Sequence, residues 1–267
     1  MRRNLLLALT IFLLISSAAC SPGKASEQKK LESLKRAAVA AGFSAEQARE
    51  LETRASAAFD RFFSLLGAVS AQMDQDSRIL SRVDKASFLP ADYVPKDLVP
   101  LDGTGIPVSR AGFQLRKPAL DALIRMQKAA SGSGLVLLVS SAYRSYSYQE
   151  QVYARNVAEM GEMEASRVSA KAGASQHQLG TAVDFGSITD AFASTAASAW
   201  LEANAGSFGF SLSYPKGAEA QTGYVWESWH YRYIGPEAAA LQSEFFGGYQ
   251  YRLIAFLEAW RKEPQSR

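Results

Sequence analysis

The sequence predicts an α+β fold, with a mainly antiparallel sheet, flanking helices and a preceding N-terminal helical hairpin. Three observations lead there. Apolar residues over about 27–83 recur at three- and four-residue steps, the period of amphipathic helices. Short β-branched and apolar runs then follow: LVLLVSS at 135–141, TAVDF at 181–185 and WHYRYIG at 229–235. These runs are scattered among helical stretches without strict βαβ alternation, which argues against a doubly wound parallel sheet.

The chain opens with MRRNLLLALTIFLLISSAAC, a short basic start, an apolar run over 5–15 and small residues up to Cys20. This is the layout of an export signal over 1–19, and its apolar run is too short to span a bilayer. Cys20 is the only cysteine in the chain, which excludes an intrachain disulfide. Small residues before a lone cysteine resemble a lipoprotein signal, although Ser17 stands three before it where leucine is usual. Lipidation of Cys20, followed by a polar tether through residue 26, is therefore favoured over plain cleavage.

A helical stem is expected over 27–81. Ser44 and Gln47 form a capping-box signal. Behind it, Ala48, Leu51, Ala55, Phe59, Phe62, Phe63, Leu66 and Val69 make an apolar stripe, and the hairpin breaks near Gly42. The stripe reads as packing, either in a spacer or in a flank against the next domain. Three prolines in 87–103 then impose an extended run. Pro118 opens a helix over about 117–130, and the SGSG turn leads into a buried strand over 135–141. Helices are expected over 148–160 and 195–205, from Pro236 onward, and over 249–260. The main domain spans 82–262.

Composition narrows the function. Hydrophobic residues make up 48% and charged residues 21%, as in ordinary globular chains. The formal net charge of +3 falls to +1 without residues 1–19, and no basic run is interleaved with aromatics. Nucleic-acid binding is not expected.

Only two histidines are present, and both stand near carboxylates. His177 precedes Asp184 in SQHQLGTAVDF, and His230 follows Glu227 in ESWHYRY. Imidazole nitrogen and carboxylate oxygen suit zinc, and catalytic zinc sites commonly use three protein ligands. His177, Asp184 and His230 would supply that set. On one continuous strand His177 and Asp184 would face opposite ways, so convergence requires a turn, which Gly180 permits. Glu227 and His230 likewise need a helical turn or an irregular start to the strand. Each motif alone is equally compatible with a hydrogen-bonded structural histidine, and the two together favour a metal site.

These motifs resemble those of the VanY-type D-alanyl-D-alanine carboxypeptidases, zinc peptidases of bacterial cell walls. The resemblance rests on Ser175, His177, Gly180, Ala182, Asp184 and Phe185, and on Glu227, Trp229, His230, Arg232 and Tyr233. DKASFLPADYVPKDLV, SSAYRSYSYQ and GFSLSYP extend it, in order, across about 82–260. The resemblance implies a hedgehog/DD-peptidase-like fold, Zn2+ on His177, Asp184 and His230, and Glu227 as catalytic acid/base. It gives Arg144 the role of holding a terminal carboxylate or polarising the scissile carbonyl, for which a planar guanidinium is suited. It also places Gln149, Ser175, Tyr214 and Trp229 along the substrate cleft, where packing is the competing role. Two departures stand out: Ser213 where many relatives carry arginine, and SAYRS for the commoner SGYRS.

The resulting expectation is an exported, lipid-anchored zinc carboxypeptidase of the cell envelope that removes the terminal D-alanine from peptidoglycan stem peptides. L,D-carboxypeptidase action on tetrapeptide stems, endopeptidase action on cross-bridges, and a non-catalytic wall-binding lipoprotein are the alternatives.

Overall fold

The computed structural model describes residues 22–264 apart from Ser77; the signal segment and Cys20 lie outside the described residues. Three helices come first: α1 (Pro22–Ala40), α2 (Ala45–Ala57) and α3 (Phe59–Gln75). The expected capping box is present, with Ser44 Oγ accepting from Gln47 N–H at 3.2 Å and Ser44 N–H donating to Gln47 Oε1 at 2.9 Å. Gly42 turns the chain between α1 and α2 at φ 87°.

Two expectations for this region are corrected. Residues 22–26, expected as a tether, belong to α1. The hairpin is a three-helix unit, because the stripe from Ala48 to Val69 breaks at Ala58 (φ −132°, ψ 49°). The break lets α2 pack on α1 while α3 turns to pack on α8 (Pro236–Phe245). Phe62 meets Phe245 there edge-to-face at 4.9 Å. The stripe forms a flank sharing one hydrophobic core with the rest of the chain.

A small antiparallel ladder follows, β1 (Leu98–Pro100) with β2 (Gln114–Arg116). Next come α4 (Lys117–Gly132), with Pro118 in its first turn, β3 (Val139–Ser141) and α5 (Tyr146–Val168), interrupted at Gly161. The central strands are β4 (Ala182–Phe185), β5 (Phe210–Leu212) and β6 (His230–Tyr233). Between them lie α6 (Ala196–Asn204) and the short α7 (Glu219–Thr222); α8 and α9 (Gln250–Trp260) close the chain. The four-stranded sheet has order β3-β4-β6-β5, antiparallel throughout.

The strand expected over 135–141 is shorter than its apolar run. Leu135 N–H bonds Ala130 O and Leu137 N–H bonds the Gln127 side chain, so both are spent on α4. Only 139–141 joins the sheet, and Val136 and Leu138 are exposed.

One buried cation ties the segment that follows α3 to the sheet. Arg232 of β6 is fully buried, and its Nη2 donates to the carbonyls of Ile79 and Ser81, each at 2.8 Å.

Candidate metal centre and catalytic cleft

The two histidine motifs converge through local backbone geometry. Ser175 starts a 3-10 turn over Gln176–Leu179, its Oγ accepting from His177 N–H at 3.3 Å. Gly180 closes the turn at φ 69°, where a Cβ would also come within 2.9 Å of Arg116 Cγ and Leu98 Cδ2. The chain then enters β4. His177 thus projects from a turn and Asp184 from a strand, which removes the parity problem of their spacing. Asp184 and His230 are direct register partners across β4 and β6. Glu227 is brought back by a turn in which His230 N–H bonds Glu227 O at 3.2 Å.

The donor atoms of His177, Asp184 and His230 all lie within 4.8 Å of one another, and all three residues are buried. Asp184 Oδ2 is 3.2 Å from His177 Nε2, and Oδ1 is 2.8 Å from His230 Nδ1. His177 Nδ1 lies 2.6 Å from Ala142 O; a carbonyl only accepts, so the proton sits on Nδ1 and the Nε2 lone pair faces the site. His230 Nε2 lies 3.2 Å from Gln176 Oε1, which also accepts from Ser213 Oγ at 2.7 Å. This turns Nδ1 toward Asp184. Both rings are therefore oriented by an outer acceptor, the arrangement that prepares imidazoles to ligate. Two nitrogens and a carboxylate fit a divalent cation of the zinc type.

The electrostatics agree. Burial, with Arg144 nearby, pushes His177 down to about 4, so its ring stays neutral as a ligand must be. Burial opposes ionisation of Asp184, but His177 and His230 beside it hold its carboxyl well below the usual range. Glu227 behaves oppositely: burial raises it to about 7. Its Oε2 stands 3.7 Å from His230 Nδ1, beside the ligands and outside the set of three. A carboxyl poised near neutrality can both accept and return a proton.

Arg144 fills one wall. Its Nε donates to Ser141 Oγ at 2.9 Å and its Nη1 to Gln149 Oε1 at 3.2 Å. Nη2 lies 2.8 Å from Asp184 Oδ2 and 2.9 Å from His177 Nε2, so the guanidinium reaches into the ligand cradle. Gln149 is anchored in turn by Ala170 O at 2.7 Å. Tyr214 lies over the His230 ring at 4.9 Å, and burial raises its hydroxyl well above the ordinary value. Gln149, Ser175, Tyr214 and Trp229 all line a cleft of about 300 Å³ with the three ligands, Arg144 and Glu227. Trp229 also belongs to the hydrophobic core, so it packs on one side and lines the cleft on the other.

Sequence reading passed over three contributors. Gln176 occupies an unspecified position in the histidine motif, yet it orients His230. Ser141 supports Arg144, and Tyr224 joins the cleft wall. Ser213, noted as a departure, is buried behind His230 and bonded to Gln176, not exposed in the cleft.

A three-donor cradle with a second carboxylate beside it defines the metal-dependent hydrolase class. The family model for VanY, D-alanyl-D-alanine carboxypeptidase, matches residues 112–236. The solved structure of an LD-carboxypeptidase, LdcB, is 34% identical over 70% of this chain and 87% of its own, with a TM-score of 0.60. The vancomycin-resistance D,D-pentapeptidase VanY, solved in complex with Zn(II), is 30% identical over 66% of this chain and 98% of its own, with a TM-score of 0.56. The chain belongs to the VanY D-alanyl-D-alanine carboxypeptidase family.

Among curated relatives, the putative carboxypeptidase YodJ of Bacillus subtilis (strain 168) is 39% identical over 60% of this chain. A D-alanyl-D-alanine carboxypeptidase of Enterococcus faecalis (strain ATCC 700802 / V583) is 38% identical over 42% of it. The matched stretches span 62% and 45% of those two proteins' own lengths.

Proposed function

We propose that this protein is a zinc-dependent carboxypeptidase that removes the C-terminal D-alanine from peptidoglycan stem peptides. The observation that carries the reading is the convergence of His177, Asp184 and His230 on one point, with Glu227 beside them. Zinc, when bound there, supplies a Lewis acid that polarises a carbonyl and acidifies water.

The chain's own residues account for the rest. Glu227, raised to about 7, takes a proton from the attacking water and returns it to the leaving amine. Arg144, held in plane by Ser141 and Gln149, pairs with the substrate's terminal carboxylate. Tyr214 and Trp229 wall the cleft, and Gln176 fixes the His230 ring.

A second reading, L,D-carboxypeptidase action on tetrapeptide stems, is favoured by the likeness to LdcB, described as an LD-carboxypeptidase. Defined penta- and tetrapeptides incubated with zinc-loaded protein separate the two. Release of D-alanine from the pentapeptide alone supports the first reading. Release from the tetrapeptide alone replaces it with the second, and release from neither removes both.

The cellular setting belongs to the same proposal: export by the N-terminal signal, lipidation of Cys20, and action at the cell envelope. The apolar run before Cys20 and the absence of any other cysteine support it.

A further inference from the structure

A groove of about 420 Å³ adjoins the catalytic cleft and shares Ser169 and Tyr224 with it. Its other walls include the exposed apolar side chains of Phe88 and Met163, and Tyr153. Two cations border it, and they differ in how they are engaged.

Lys171 is paired with Glu162 at 2.9 Å and lies over the Tyr153 ring. Lys85 has no carboxylate within salt-bridge distance among the described residues. Its ammonium lies 4.9 Å from the centre of the Tyr224 ring, and its stem packs against Gly223, where a Cβ would come within 2.9 Å of Lys85 Cδ. The side chain is thus held at the junction of groove and cleft without a salt-bridge partner among the described residues, and Glu219 is the acid whose charge it feels. Glu219, an acid on the neighbouring helix, is held by a fork from Arg167 at 2.7 and 3.1 Å.

Tyr224 adds a second, independent signal. It is 3% exposed, and its hydroxyl is buried without a hydrogen-bond partner. A buried donor left unspent is costly unless something arrives to accept from it. Tyr224 stands in the wall common to both spaces with the Lys85 ammonium against its ring, and an acceptor carrying negative charge suits that pair.

We infer that this groove is a subsite for the part of the peptide upstream of the scissile bond, and that it reads an acidic group there. Lys85 supplies the countercharge and Tyr224 Oη donates a hydrogen bond, while Phe88 and Met163 cover the adjoining apolar stem. The inference rests on the carboxypeptidase reading and adds a specificity that reading does not contain: preference for a free upstream carboxylate over its amide.

Two synthetic peptides test it, identical but for a free or amidated carboxylate on the residue upstream of the cleaved pair. The proteins are wild type, Lys85→Gln and Tyr224→Phe. Lys85 is exposed, and the phenylalanine keeps the ring, so both variants should fold. Wild type should favour the acid in kcat/KM by about three- to tenfold, the range of a partly exposed charge pair. Lys85→Gln should lose that preference through KM, with kcat unchanged and the amide cleaved as before, and Tyr224→Phe should weaken binding of the acid in calorimetry. Binding of both peptides to the same proteins is measured by calorimetry in parallel. If wild type cleaves neither peptide, the carboxypeptidase reading fails, and the acid-to-amide binding ratio still decides the subsite. Equal binding of acid and amide by wild type overturns it, as does an unchanged ratio in Lys85→Gln.

Discussion

His230 Nδ1 lies 2.8 Å from Asp184 Oδ1 while the same ring's Nε2 faces Gln176 Oε1 at 3.2 Å. A neutral imidazole has one N–H, so it can satisfy one of these two acceptors and not both. The arrangement would be resolved by a second proton or by a cation for which His230 and Asp184 would serve as ligands. With His177 Nε2 also turned inward, the cation is the better match to the geometry. Purified protein should therefore bind about one zinc ion per chain, and His177→Ala or His230→Ala should abolish binding. Metal content by mass spectrometry checks this, and unchanged stoichiometry in His230→Ala would remove it from the ligand set.

Glu227 lies beside that cradle without being one of its three donors. Glu227→Gln should keep the zinc and lose turnover by a factor of about 100 or more, the usual size of a lost general acid/base. Metal content and stem-peptide hydrolysis, measured on one preparation, give both numbers. Turnover near the wild-type rate would deny Glu227 a catalytic role.

The same variant has a stability signature in metal-free protein. Burial raises Glu227 from 4.5 to about 7, so the folded chain holds a proton that the unfolded chain releases earlier. Stability from this group is intact below pH 4.5 and is lost as pH rises to 7, at a cost of about 3 kcal/mol. Glutamine cannot ionise. Glu227→Gln should therefore be more stable than wild type at pH 8, with the difference gone at pH 4. Urea unfolding at both pH values, with chelator present, checks it; a wild type more stable than the variant at pH 8 would contradict the assignment.

Arg144 spends its N–H groups on Ser141, Gln149, His177 and Asp184 in this structure. To pair through Nη2 with a substrate carboxylate it must exchange the last two partners, a swap that a cation on Asp184 would favour. Amidating the substrate's C-terminus should then cost about 10- to 150-fold in kcat/KM, since a charge-assisted hydrogen bond is worth about 1.5–3 kcal/mol. Arg144→Lys should be impaired on the acid and discriminate less, because lysine keeps the charge and loses the planar fork. Equal rates of the wild type on acid and amide would promote the endopeptidase reading.

The anchoring proposal has its own test. Cys20→Ser should move the protein from the detergent phase to the aqueous phase, because stable anchoring needs more than one acyl chain on that residue. Identical partitioning of mutant and wild type would leave a plain secretory signal.

Much of the site was legible because its chemistry is concentrated in two short motifs. Two histidines in 267 residues, each near an acid, left few candidates, and Gly180 marked the turn that lets His177 and Asp184 meet. Less legible were contacts between distant segments. Gln176 has no feature that marks it as the acceptor for His230, 54 positions away. The apolar run at 135–141 has the composition of a buried strand, yet Gln127 takes its Leu137 amide and α4 its start. The break at Ala58 was hidden because alanine carries no breaking signal; packing of α2 and α3 on different partners imposes it.

The bond from Arg232 to the carbonyls of Ile79 and Ser81 bears on how modular this chain is. Arg232 lies two residues along β6 from His230. A fragment beginning at residue 82 would keep every residue of the cleft and lose both acceptors of a fully buried guanidinium. Removing the partners of a buried charge costs several kcal/mol, a large part of the net stability of a domain. The segment that follows α3 is therefore not detachable from the catalytic half. Grafting the catalytic half onto another stem, or trimming it for crystallisation, would require new carbonyls at that position.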